Sequence, residues 1–196
     1  MLLRTSQLLS LAIMSLQTGE EIAYSESLLI DPDTLQIAAL ELGGESLDEH
    51  PSFLRIEDIR ELSSIGFIID SSDECIGLDD VIAIKELYNN GFQPVDKQVV
   101  DETGKKLGKV YDTIFNTDTF RIEQLCVNRP LLMSFGDTEL LIRRTQIVDV
   151  TDRQIVVRST AIKQTDAAKK KRSQPMDNPF RKPQRDPQPE TITAKE

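Results

Sequence analysis

The sequence predicts an all-β fold: two small β-barrels in series, joined by a short helix and followed by a disordered C-terminal tail. Three observations predict it. The segment from Thr18-Gly19-Glu20-Glu21-Ile22 through Asp33-Thr34-Leu35-Gln36-Ile37 and Leu40 recurs as Thr103-Gly104-Lys105-Lys106-Leu107 through Asp118-Thr119-Phe120-Arg121-Ile122 and Leu125, every equivalent pair 85 positions apart. A fixed offset that preserves both turn residues and apolar positions is the mark of two copies of one module. Within each copy, short apolar runs alternate with turn residues, the pattern of a small barrel or sandwich. Between and after the copies the composition changes, at 78–90 and again beyond Lys163.

The repeat extends with small slips. Leu9 and Ile13 stand opposite Val95 and Val99 at an offset of 86, and Leu54, Ile59, Leu62, Phe67 and Ile69 stand opposite Ile142, Ile147, Val150, Ile155 and Val157 at 88. The insertions therefore fall between apolar runs. A chain of 196 residues divides into modules of about 75 to 80 residues, near the lower limit for a self-supporting core. The predicted organisation is 1–77 for the first barrel, 78–90 for a linker helix, 91–165 for the second barrel and 166–196 for the tail.

Met1 to Leu16 resembles a short signal peptide in its Arg4 and the apolar residues that follow. Serines interrupt it, no small-x-small cleavage pattern precedes Thr18-Gly19, and it aligns with the opening of the second copy. It is predicted as a core strand. The first-copy strands are predicted near Ala12–Leu16, Ile22–Ile30, Gln36–Leu42, Phe53–Ile56, Ile59–Leu62 and Phe67–Asp70. Thr18-Gly19 and Thr103-Gly104 supply the glycine of a tight hairpin, while Asp31-Pro32-Asp33-Thr34 and Asn116-Thr117-Asp118-Thr119 supply side-chain-capped turns. Leu78 to Gly91 is predicted as a capped helix, with Asp79 and Asp80 at its start, Val81, Ile84 and Leu87 or Tyr88 on its apolar face and Asn90-Gly91 at its end. In the tail, prolines at 175, 179, 183, 187 and 189 exclude a helix, and large apolar residues are nearly absent. Such a segment cannot offset its chain entropy by burial and is predicted disordered.

The apolar opening strand, Thr-Gly followed by Glu or Lys, the Asp-Pro-Asp-Thr turn, the following apolar strand and a late Ile-x-x-x-x-Ile resemble the PRC-barrel family. Gly104-Lys105-Lys106-Leu107-Gly108-Lys109-Val110-Tyr111-Asp112 is the nearer match; the first copy departs at Ala23-Tyr24-Ser25, where the family has Gly-x-Val. The resemblance covers about 160 residues. The same module occurs in the reaction-centre H subunit and in the C-terminal half of the bacterial ribosome maturation factor, so the resemblance implies a tandem of non-catalytic docking barrels. It does not fix a role, because one fold hosts many.

Charge is divided unevenly. Residues 1–90 hold 18 acids and 4 bases, residues 91–165 hold 10 acids and 11 bases, and residues 166–196 hold 5 acids and 8 bases. The first copy should repel nucleic acid and anionic membranes; the second copy and tail could tolerate either. Candidate contacts to phosphate or to an acidic partner are Lys105, Lys106, Lys109, Arg143 and Arg144, with Lys169, Lys170, Lys171 and Arg172 in the tail. The candidate protein interface is the apolar connection after Arg129, where Leu131, Leu132, Met133 and Phe135 stand in a place that is polar and acidic in the first copy; folded in, the same cluster would plug the barrel or seal the seam between barrels, the favoured reading of the loop.

Chemistry is sparse. His50 is the single histidine and sits in an acidic loop without a counterpart in the second copy, so no base is placed beside a nucleophile. Asp31 and Asp33 lack the spacing of a calcium loop and fit a hairpin turn better. Cys75 and Cys126 form no metal-ligand spacing. No catalytic residue, cofactor or metal is predicted, and no run reaches the roughly 20 apolar residues of a membrane span. The leading expectation is a cytoplasmic, non-enzymatic interaction module that docks protein partners through apolar loops or strand edges, with homo-oligomers left open. The alternative is a ribosome- or RNA-associated factor using the basic second barrel and tail; an enzyme with a site between the barrels is the weakest option.

Overall fold

The computed structural model describes residues 1–129 and 139–158, all within one compact unit. Fourteen strands are described: β1 (Leu2–Arg4), β2 (Ala12–Ser15), β3 (Glu21–Asp31), β4 (Gln36–Gly43), β5 (Ser52–Arg55), β6 (Glu61–Ser63), β7 (Gly66–Ile69), β8 (Cys75–Gly77), β9 (Gln98–Asp101), β10 (Lys106–Asn116), β11 (Arg121–Asn128), β12 (Glu139–Arg143), β13 (Ile147–Val150) and β14 (Gln154–Val157). One α-helix, α1 (Ile82–Asn90), lies between β8 and β9. The predicted first-copy strands correspond to β2 through β7, with no end shifted by more than two residues. The tail and the loop residues Leu131, Leu132, Met133 and Phe135 lie outside the described residues, as do Lys169, Lys170, Lys171 and Arg172.

Strand order is the same in the two halves. In the first, β5-β4-β3-β2 run antiparallel, β2 takes β7 in parallel and β7 takes β6. The second half follows suit with β12-β11-β10-β9, then β14 in parallel and β13. Registers agree residue by residue. Ile13 opposite Phe67 matches Val99 opposite Ile155, and Leu28 opposite Leu40 matches Thr113 opposite Leu125. Bulges recur at the same places, between Ser25 and Ser27 and between Val110 and Asp112. The halves even share their unusual backbone: Ser10 and Asp96, and Leu35 and Phe120, all have positive φ. A bulky residue in that region costs about 1–2 kcal/mol. Leu35 and Phe120 are nevertheless buried, and burial of such a side chain contributes about 2–3 kcal/mol, enough to hold the turn.

Closed barrels are not what the ladder forms. Among the described residues the sheet is open: β6 pairs with β7 alone and β13 with β14 alone, so both are end strands. The free edge of β5, which closure would require, is instead occupied by β8 through Phe53 opposite Ile76.

Two segments cover the halves. The α1 helix adds Ile84 to a core of Leu29, Ala39 and Phe53, flanked by Ile76, Leu78, Val81 and Leu87, and Tyr88 meets the Phe53 ring edge-on at 5.3 Å. Gly91 ends the helix in the left-handed region, its N–H reaching the carbonyls of Leu87 and Tyr88. The predicted aspartate cap is corrected: Val81 is the N-cap, while Asp80 accepts from the Gly77 N–H at 2.7 Å and Asp79 pairs with Lys85 at 2.6 Å. The N-terminal segment crosses to the other half. There β1 pairs with the end of β10, Leu3 opposite Phe115, and the following turn, Thr5–Leu8, buries Leu8 completely.

Candidate functional site

Besides the β1–β10 crossing, the halves meet where β4 pairs with β11. Gln36 at the start of β4 faces Arg121 at the start of β11; the Ile37 N–H donates to the Phe120 carbonyl at 2.9 Å and the Ile122 N–H to the Leu35 carbonyl at 2.8 Å. At the 85-residue offset these two bonds exchange with each other. The contact is thus self-complementary, like that of a two-fold dimer, but within a single chain.

Two grooves flank this junction at equivalent places. The first lies between the start of β4, the turn Ile56–Asp58, the edge of β6, the start of α1 and the turn carrying Thr117 to Phe120; its volume is about 800 Å³. The second lies between the turn carrying Pro32 to Leu35, the turn Arg144–Gln146 and β13, with a volume of about 350 Å³. Each follows an end strand. The difference in size has a visible source, since Val81, Ala83 and Ile84 at the start of α1 wall the first groove and no α-helix lines the second.

Three arginines line the first groove, and they are not equivalent. Asp58 grips the Arg55 guanidinium bidentately, at 2.6 and 2.9 Å, and Glu57 adds a contact at 2.5 Å; the Asp58 hydrogen bond leads in raising the Arg55 pKa. Arg60 pairs with Asp70 at 2.7 Å. Arg121 is different: its Nε is buried and has no hydrogen-bond partner among the described residues. A buried donor left unpaired costs about 1–3 kcal/mol.

A second polar cluster fixes the N-terminal crossing. Asp112 is buried and accepts from the Ser6 hydroxyl at 2.7 Å, the Thr5 hydroxyl at 3.0 Å, the Ser6 N–H at 3.3 Å and the Thr113 N–H at 2.8 Å. Burial alone would raise its pKa, but these hydrogen bonds outweigh it and hold the carboxyl below the ordinary range. Above it, Arg4 contacts the Tyr111 hydroxyl at 3.3 Å and Glu139 at 3.5 Å, and Tyr111 donates to Glu139.

The five predicted basic residues within the described region fall into two groups. Lys105, Lys106 and Lys109 stand exposed at the first hairpin of the second half, and Lys109 is opposite Asn128. Arg143 is opposite Gln124, four residues along β11 and therefore roughly 13 Å away. Arg144 donates to the Thr34 carbonyl at 3.1 Å and so helps hold the junction. Asp31 builds a turn, accepting from the Asp33 N–H at 2.9 Å and the Thr34 hydroxyl at 2.7 Å. His50 is exposed in its loop. Burial raises the Cys75 thiol to about 11 and also raises Cys126, so neither is an activated thiolate near neutrality. Arg121 and its groove were missed by sequence reasoning; the one local signal is that the polar pair Gln36 and Arg121 opens equivalent strands.

Residues 90–164 match the family model of the PRC-barrel domain. A PRC-barrel domain therefore occupies the second half of the chain. A search of curated proteins found no match, and no helix among the described residues is long and apolar enough to cross a membrane.

Proposed function

We propose that the chain is a non-enzymatic docking module in which two PRC-type units, fused side by side, bind a protein partner at their junction. The observation that carries this reading is the pair of grooves beside β6 and β13, strands that present a row of main-chain groups to a partner instead of to a neighbouring strand. Assignment of the first half to the same family draws support from its matching strand order, registers and bulges. The alternative, an RNA- or ribosome-associated factor, has a weaker basis, because the basic residues of the second half stand in two separate groups.

Affinity chromatography of extract on full-length protein, with and without ribonuclease and at low and moderate salt, tests the choice. The docking reading expects a protein partner to remain bound through ribonuclease and moderate salt. Loss of all binding on either treatment would overturn it in favour of a phosphate-dominated complex, which weakens steeply as salt rises.

A further inference from the structure

We infer that the larger groove takes an extended peptide segment of the partner as an added strand on β6, with a side-chain carboxylate delivered to Arg121. The inference rests on the docking reading and supplies the chemistry of its ligand.

Geometry sets the form of the ligand. The groove runs beside Ile59 to Leu62, a stretch of about 10 Å, and among the described residues β6 has a strand on one side only. An extended segment of about four residues fits that length and meets its main-chain groups, the mode by which strands add to sheet edges. The groove volume of about 800 Å³ is ample for such a segment. Apolar surface from Ile56, Ile59, Leu62 and Val81 would cover its alternate side chains.

Charge sets the anchor. With Arg55 and Arg60 held by Asp58, Glu57 and Asp70, Arg121 is the groove arginine without an ion pair among the described residues. A carboxylate is the strongest acceptor a peptide can offer it. Glu57, Glu61 and Asp118 also line the groove and disfavour a polyanion, so one carboxylate fits where a phosphate backbone does not. The smaller groove lacks this feature, since its Arg144 already donates to the Thr34 carbonyl.

The test is to pan a displayed library of random ten-residue peptides against the full-length chain and to measure the selected peptides by fluorescence polarisation. The expected peptides carry an Asp or Glu with apolar residues two positions away. Arg121→Gln should weaken them at least tenfold; glutamine already occupies the equivalent position 36, so the junction tolerates it. Ala83→Trp, on the exposed face of α1 at the groove wall, should block binding, and peptides N-methylated at alternate bonds should lose it. The inference is overturned if no peptide is selected, if the selected peptides lack an acid, or if both variants bind as the parent does. Should that happen while the protein partner is still retained through ribonuclease and salt, the groove assignment fails and the docking reading stands.

Discussion

Asp112 shows how a single carboxylate organises this chain. Three of its four hydrogen bonds tie the N-terminal Thr5 and Ser6 to the second half, and each bond to a charged acceptor is stronger than its neutral counterpart. Because its folded pKa lies below the ordinary carboxylate value of about 3.9, the stabilisation is fully present above that value and is lost as pH falls toward the folded pKa. Asp112→Asn is expected to cost about 2 kcal/mol at pH 7 and to flatten the acid limb of stability. Urea unfolding of parent and variant between neutral pH and strong acid measures both. Equal acid limbs would assign the sensitivity to other groups, of which Asp101 is one, its pKa lowered first by the Thr103 hydroxyl.

At the scale of elements, the repeat made most of the strands readable. Turn residues and apolar positions recur at 85, 86 and 88, and the ladder registers follow the same offsets. What the sequence hid was contact between distant segments. Nothing local in Leu2 to Arg4 says that its partner is Ile114 to Asn116, because a strand's pattern encodes its face and not its neighbour. The helix cap was misread for a similar reason: two aspartates before an apolar run resemble a cap, yet one of them serves Gly77 and the other Lys85. The groove was hidden as well, since it arises where β8 displaces closure of the first half and β6 is left at the edge. Removal of residues 1–8 should lower stability by at least about 3 kcal/mol, from the burial of Leu8 and the lost ladder. Hydrogen exchange should locate the loosening in β10, around residues 112–116. Unchanged protection there would mean that the crossing is ornamental.

At the scale of the whole molecule, the described residues repeat one strand order and register in two halves, which differ in charge and in their covers. The first half is strongly acidic and carries α1; the second is nearly neutral and receives the N-terminal strand. The grooves beside β6 and β13 differ in size accordingly, and on the proposed docking reading this difference would orient a partner at the junction. The most direct measurement is hydrogen–deuterium exchange of the full-length chain with and without the protein partner retained from extract. Docking at the junction predicts slowed exchange at residues 56–63 and 117–121. Protection confined to the basic hairpin at 103–109, or absent from both grooves, would contradict it.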